Sequence, residues 1–155
     1  MTMMRIRELT TCDQHSRALV VLEDVASSCR LTFYADAEDA RRLARELARG
    51  PRACHPVFDF IMALLRSWHA APVCVVLEDV DGDGIGALVC VRQGEIESSI
   101  SCYPPDALTI ALRTGVPIYA TPGVLSHAEA MTPMSAEDRG TAHWLEHVRP
   151  QDFEA

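Results

Sequence analysis

Residues 100–125 read ISCYPPDALTIALRTGVPIYATPGVL, and the rest of the chain is best interpreted around them. The stretch begins with strand-like alternation and turns at the Tyr-Pro-Pro-Asp segment 103–106. Apolar residues at helical spacing then predict a helix, with Asp106 as its N-cap and Gly115 as its stop. A short strand over 116–119 follows. The stretch therefore predicts a compact strand, helix and strand unit.

The residues before this unit predict more strands and two further helices. Alternating apolar residues predict strands over 4–9, 17–24, 29–34, 73–78, 85–92 and 96–101. A helix over 37–48 has Asp36 as its candidate N-cap, and a second over about 57–68 is apolar on nearly all sides. We expect this second helix to be mostly buried. The order of elements predicts an α+β domain with a mostly antiparallel sheet and two central helices.

Size and composition limit the domain organisation and the partners. The 155 residues are 48% hydrophobic, which suits one domain over 1–130 and a C-terminal helical tail over 131–155. The net charge is −8 and all fourteen Lys or Arg residues are Arg. A nucleic acid could therefore bind only at a local patch of arginines. Without a long apolar run or a signal peptide, we expect a cytoplasmic protein that binds no membrane. The six scattered cysteines predict free thiols.

The 100–125 stretch resembles the signature of the bacterial and plant bifunctional nuclease family. The matching residues are Pro104, Asp106, Ala107, Ala111, Leu112, Arg113, Gly115, Val116, Pro117, Ile118 and Tyr119. The ending HWLEHVRPQDF is similar to the tails of actinobacterial members. The resemblance implies a hydrolase that cleaves DNA and RNA phosphodiester bonds.

The chain departs from the family pattern at several polar positions. Where members carry R-P-x-T-H-D-L, residues 54–60 read CHPVFDF, so Asp59 remains while Arg, Thr and His are replaced. In the signature turn, Tyr103 and Pro105 replace the family's Arg and Ser, and Asp106 remains. The resemblance therefore supports kinship more strongly than it supports activity.

If the chain is a nuclease, the two retained carboxylates are the natural site residues. Asp59 and Asp106 would hold Mg²⁺ or Mn²⁺ or orient water, although each could instead cap a helix. His55 and Tyr103 lie beside them as candidate base and acid, and Cys54 or Cys102 could pair with His55 as a nucleophile. Phosphate would contact Arg113 or a basic stripe, which is formed by the arginines within residues 41–52 that share a helix face. The alternative is that the stripe is only a solvated helix face.

A different class of function remains open. Phe58, Tyr103 and Pro105 would line an apolar pocket suited to a small organic ligand, with Cys102 and Arg113 as further binding residues. Such a chain would be a nuclease-inactive binding module, or an enzyme acting on a small molecule through His55, Tyr103 or Cys102. We expect a homo-oligomer in this case.

Overall fold

The computed structural model describes residues 1–12, 16–48, 55–80 and 84–130. Its strands are β1 (Thr2–Cys12), β2 (Arg17–Asp24), β3 (Arg30–Asp36), β4 (Ala70–Val80), β5 (Gly84–Gln93), β6 (Ile96–Cys102) and β7 (Ile118–Ala120). Its helices are α1 (Ala37–Leu47), α2 (Pro56–Ser67), α3 (Pro104–Thr114) and α4 (Pro122–Ala130).

Within these ranges the strands form one sheet in the order β3-β2-β1-β7-β4-β5-β6. Neighbouring strands pair antiparallel, except that β7 runs parallel to β4. The sheet is therefore mostly antiparallel, and the predicted α+β fold is confirmed.

The shortest strand, β7, joins the two halves of the sheet. Gly115 ends α3 in the left-handed conformation at φ 72°, which an L side chain adopts only with strain, and this turns the chain back toward the sheet. Pro117 lacks an N–H but accepts a hydrogen bond from the Val75 N–H at 3.0 Å. The strand consequently starts at Ile118, two residues later than the sequence predicted.

The core lies between the sheet and the helices α1 and α3. Strand residues such as Val75, Leu77 and Val89 belong to the same buried cluster as Leu43 of α1 and Leu108 of α3. The contact between α1 and α3 is the most extensive one between two helices in the described ranges. The two arginines that contact Phe58 at the start of α2 come from these two packed helices.

The prediction that α2 is mostly buried is wrong. Phe58 is its one buried residue, whereas Phe60 is 65% exposed and Val57 is also exposed. The helix packs against β4, and its apolar residues are too widely distributed around the helix for one packed side to cover them. The result is an exposed apolar surface on α2.

The prediction that Asp106 is an N-cap is also wrong. Helix α3 begins at Pro104, and Tyr103 occupies the N-cap position without a side-chain capping bond. Proline suits the first helical position because its missing N–H would have no partner there. Asp106 therefore lies inside the first turn, and its carboxylate binds a partner on another helix.

One helix was not predicted. Thr121 precedes Pro122 at the start of α4, and its Oγ1 accepts a hydrogen bond from the Val124 N–H at 3.4 Å. This Thr-Pro pair is a helix-start signal that the sequence interpretation passed over.

Within the described ranges, no helix combines the length and apolar character that spanning a bilayer requires. The proposed tail over 131–155 lies outside these ranges.

Candidate functional site

Residues from three helices meet around one buried aromatic ring. Phe58, on the first turn of α2, is 4% exposed. The guanidinium carbons of Arg42 on α1 and Arg113 on α3 lie 5.1 and 5.9 Å from the centroid of its ring. Both distances suit a cation–π contact. We call the group formed by Arg42, Phe58, Asp59, Asp106 and Arg113 the Phe58 cluster.

Arg42 connects α1 to the start of α3. Its Nη2 donates to Asp106 Oδ1 at 2.6 Å and pairs with Asp39 Oδ1 at 2.9 Å. Its Nε donates to Thr109 Oγ1 at 3.2 Å. The Arg42 side chain is only 15% exposed, while that of Asp106 is 39% exposed. The pair therefore presents a carboxylate to solvent with an arginine behind it.

Arg113 makes the corresponding connection to α2. Its Nε donates to Glu46 Oε1 at 2.7 Å and its Nη1 donates to Asp59 Oδ1 at 2.8 Å. The other oxygen of Asp59 accepts the backbone N–H of His55 at 3.2 Å, so Asp59 also closes the start of α2. Both oxygens of this carboxylate are thus bound to protein donors. The two predicted aspartates join one cluster through two different arginines.

Tyr103 lies beside an acidic group at the edge of the cluster. Its side chain is half exposed, and partial burial raises the pKa of its phenol, as do the nearby charges of Asp39, Asp36 and Asp106. Burial also raises the pKa of Asp39, and the positive charge of Arg42 offsets only part of this rise. The phenol therefore keeps its proton at neutral pH, although the raised pKa makes it a weaker acid than an unperturbed tyrosine. Because it is protonated and half exposed, Tyr103 is the candidate acid of this site.

Cys102 and His55 are less suited to nucleophilic catalysis. Burial, followed by the Asp106 charge, raises the pKa of the Cys102 thiol, which disfavours the reactive thiolate. The His55 ring stands edge-on to Phe58 with centroids 4.9 Å apart, and its buried Nδ1 has no hydrogen-bond partner among the described residues. Cys54 lies outside the described residues. No contact in the described ranges joins Cys102 to His55 as a catalytic pair.

The predicted metal site does not fit the arrangement of Asp59 and Asp106. Each carboxylate binds a guanidinium group, and the positive charge of that group would repel a divalent cation beside the carboxylate. In the part of the chain that the structure describes, no three His, Cys, Asp or Glu side chains come together as metal ligands. We therefore derive no catalytic step through a metal ion here.

Sequence reasoning missed the inward orientation of Arg42. It grouped Arg42 with the basic stripe of α1, whose members Arg41 and Arg45 are indeed exposed. A usable signal was present, because Arg42 lies three residues after Asp39 and directly before the buried Leu43. The stripe positions Arg49 and Arg52 lie outside the described residues.

The family comparison covers the whole cluster. The family model for the bifunctional nuclease domain matches residues 20–133, which is well over half of the chain. The chain belongs to the bifunctional nuclease domain family. The domain therefore includes α1, α2 and α3, and the Phe58 cluster is part of it.

Two curated relatives of this bifunctional nuclease domain protein are uncharacterized proteins of Mycobacterium tuberculosis, from strains CDC 1551 and H37Rv. Each is 34% identical over 67 aligned residues. The alignments cover 36% of this chain and 41% of each relative. The match thus spans less than half of each relative's length.

Proposed function

We propose that the chain hydrolyses phosphodiester bonds in nucleic acid at the exposed edge of the Phe58 cluster. Family membership suggests nuclease-like chemistry. The observation that carries the proposal is the convergence of Asp106, Arg42 and Tyr103 at one helix start, where carboxylate and phenol both reach solvent. Hydrolysis needs a base for water and an acid for the leaving oxygen, and this pair can supply both.

Asp106 is a better candidate for the base than Asp59. One oxygen of Asp106 is held by Arg42 Nη2, which fixes the orientation of the carboxylate. Asp59 is more exposed, at 54%, but both of its oxygens are bound to protein donors. In the proposed step, Asp106 takes a proton from water as the water oxygen attacks phosphorus. Asp59 is a positioning residue that fixes Arg113 against Phe58.

Tyr103 completes the proposed step on the leaving group. Its phenol transfers a proton to the departing sugar oxygen as the phosphorus–oxygen bond breaks, and it recovers a proton from solvent afterwards. The exposed Arg41 and Arg45 lie four residues apart on α1, so they share a helix face and can contact the phosphate backbone. They form the local arginine patch that this acidic chain requires.

The small-molecule alternative has lost support. Phe58 and Pro105 are fully or almost fully buried, so neither can line an open pocket. Of the three residues that were predicted to line the pocket, only Tyr103 is exposed. We therefore keep nucleic acid as the proposed substrate.

The proposal is tested by incubating the purified full chain with single-stranded DNA, double-stranded DNA and RNA. Separate reactions contain Mg²⁺, Mn²⁺ or a chelator. A Tyr103→Phe, Asp106→Asn double variant purified in the same way controls for contaminating nucleases, and circular dichroism checks its fold. We expect cleavage by the wild type that the double variant lacks. Equal cleavage by both proteins, or none by either, would overturn the proposal.

The chelator reaction examines the metal question separately. The arginine contacts of Asp59 and Asp106 favour hydrolysis without a metal held between them. We therefore expect cleavage to persist when a chelator is present. Its loss with chelator, and its return with Mn²⁺ or Mg²⁺, would contradict this expectation.

We also propose a homo-oligomer that forms through the exposed side of α2. Val57, Phe60 and Trp68 expose large apolar side chains on or directly after this one helix, and such clusters on soluble proteins usually meet a partner. Light scattering should give a mass above that of one chain. Phe60→Glu should reduce it to 17.1 kDa, whereas Tyr34→Glu on β3 should leave it unchanged. A monomeric wild type would refute this proposal.

Cytoplasmic location stays a prediction.

A further inference from the structure

Two thiols face each other on neighbouring strands, away from the Phe58 cluster. Cys74 of β4 and Cys90 of β5 are direct partners in the antiparallel register, next to an irregularity between Pro72 and Cys74. Both are free and half-buried. Directly opposed residues of antiparallel strands have Cα atoms about 4.5–5.5 Å apart, which lies within the range that a disulfide spans. The backbone therefore already places the two sulfurs for bonding.

The two sulfurs also contact each other across the strands. Burial, a hydrogen bond to Cys90 and the charges of Cys90 and Glu97 together raise the pKa of the Cys74 thiol to about 11. Cys90 Sγ also lies 3.7 Å from Ser99 Oγ on β6, and either atom can be the donor in that contact. The paired register and the contact between the thiols therefore place the two sulfurs together, and either one can begin a thiol–disulfide exchange.

We propose that Cys74 and Cys90 form a reversible cross-strand disulfide when the protein meets a low-molecular-weight disulfide such as oxidised glutathione. One of the two cysteines loses its proton, and its thiolate attacks one glutathione sulfur, which forms a mixed disulfide and releases one glutathione thiolate that takes up a proton. The other cysteine then loses its proton and attacks the protein sulfur of the mixed disulfide, which releases the second glutathione. Two protein thiols are oxidised and one glutathione disulfide is reduced to two thiols.

The position of the pair gives the bond a structural consequence. The disulfide would connect β4 to β5, and β5 pairs with β6, which ends at Cys102 and leads directly into Tyr103. Closing the hairpin between residues 74 and 90 restricts the unfolded chain. We expect the oxidised protein to melt at a higher temperature than the reduced protein.

The test exposes the folded full chain to oxidised glutathione, blocks the remaining thiols with an alkylating reagent and maps the peptides by mass spectrometry. We expect two of the six thiols to be lost, a peptide linking Cys74 to Cys90, and full recovery with dithiothreitol. A Cys102→Ser control should form the same link. If Cys74 and Cys90 are both found alkylated and not linked, in protein that is still folded, the proposal is wrong.

Single variants test the mixed-disulfide intermediate. Cys74→Ser and Cys90→Ser each lack the second thiol, so in each variant the reaction should stop at one glutathione adduct on the remaining cysteine of the pair. Neither variant should form a link at residue 74 or 90. A disulfide from the remaining cysteine to another cysteine of the same chain in either variant would contradict the pairing.

Discussion

Replacing Phe58 with alanine is expected to lower the free energy of unfolding by about 3–5 kcal/mol, the usual cost of emptying a buried aromatic site. Phe58 is 4% exposed, and the guanidinium groups of Arg42 and Arg113 contact its ring. Removing the ring leaves a cavity and also removes both cation–π contacts. Urea denaturation of the purified variant and wild type, with linear extrapolation to water, measures the loss.

Two controls separate the ring from general effects of substitution. Tyr34→Ala removes an exposed aromatic ring on β3 and should cost less than about 1 kcal/mol. Phe58→Leu keeps an apolar side chain in the core and should cost less than Phe58→Ala. A loss below about 1 kcal/mol for Phe58→Ala would mean that the ring does not hold the three helices together.

Replacing Arg42 with methionine is expected to cost about 3 kcal/mol, because it leaves the largely buried Asp39 carboxylate without its positively charged partner. The side chains of Arg42 and Asp39 are 15% and 16% exposed, so little solvent screens the loss. Asp106 loses its Arg42 contact as well, but is better solvated. Arg41→Met, at the neighbouring exposed position of α1, is the matched control and should change stability by less than about 0.5 kcal/mol.

The effect of Arg42→Met should depend on pH in one direction. Burial raises the pKa of Asp39 in the folded protein, and Arg42 opposes this effect. Without Arg42 the folded pKa rises further, so ionisation of Asp39 penalises the folded state more. This penalty is absent below the unfolded pKa and grows as pH rises through the folded value. The stability difference should therefore be smaller in acid than at neutral pH; a larger difference in acid would contradict this role.

The fold was largely predictable because its elements carry local signals. The alternation in β2 and β5 and the Gly115 stop after α3 depend on nearby residues, and the structure has them where the sequence placed them. The error over α2 has a different origin. A helix that is apolar on all sides looks buried in sequence, but its burial depends on which other elements cover it, and here β4 covers one side.

The candidate site was predictable only in its retained residues. The family pattern pointed to Asp59, Asp106 and Arg113, and all three lie in the Phe58 cluster. The spacing from Asp39 was a local signal that Arg42 turns inward, but its pairing with Asp106 joins residues 64 positions apart and was not predictable from local spacing. Phe58 was interpreted as a ligand-binding residue, whereas its ring is in the core. Local sequence patterns do not contain such long-range contacts.

The most direct test of the central claim compares Asp106→Asn with Asp59→Asn in a quantitative nucleic-acid cleavage assay. Each substitution keeps the shape of the side chain and removes its charge. If Asp106 is the base, kcat/KM should fall about 100-fold or more in Asp106→Asn and clearly less in Asp59→Asn, with both variants folded. A larger loss in Asp59→Asn, or full activity in Asp106→Asn, would contradict the assignment of Asp106 as the base.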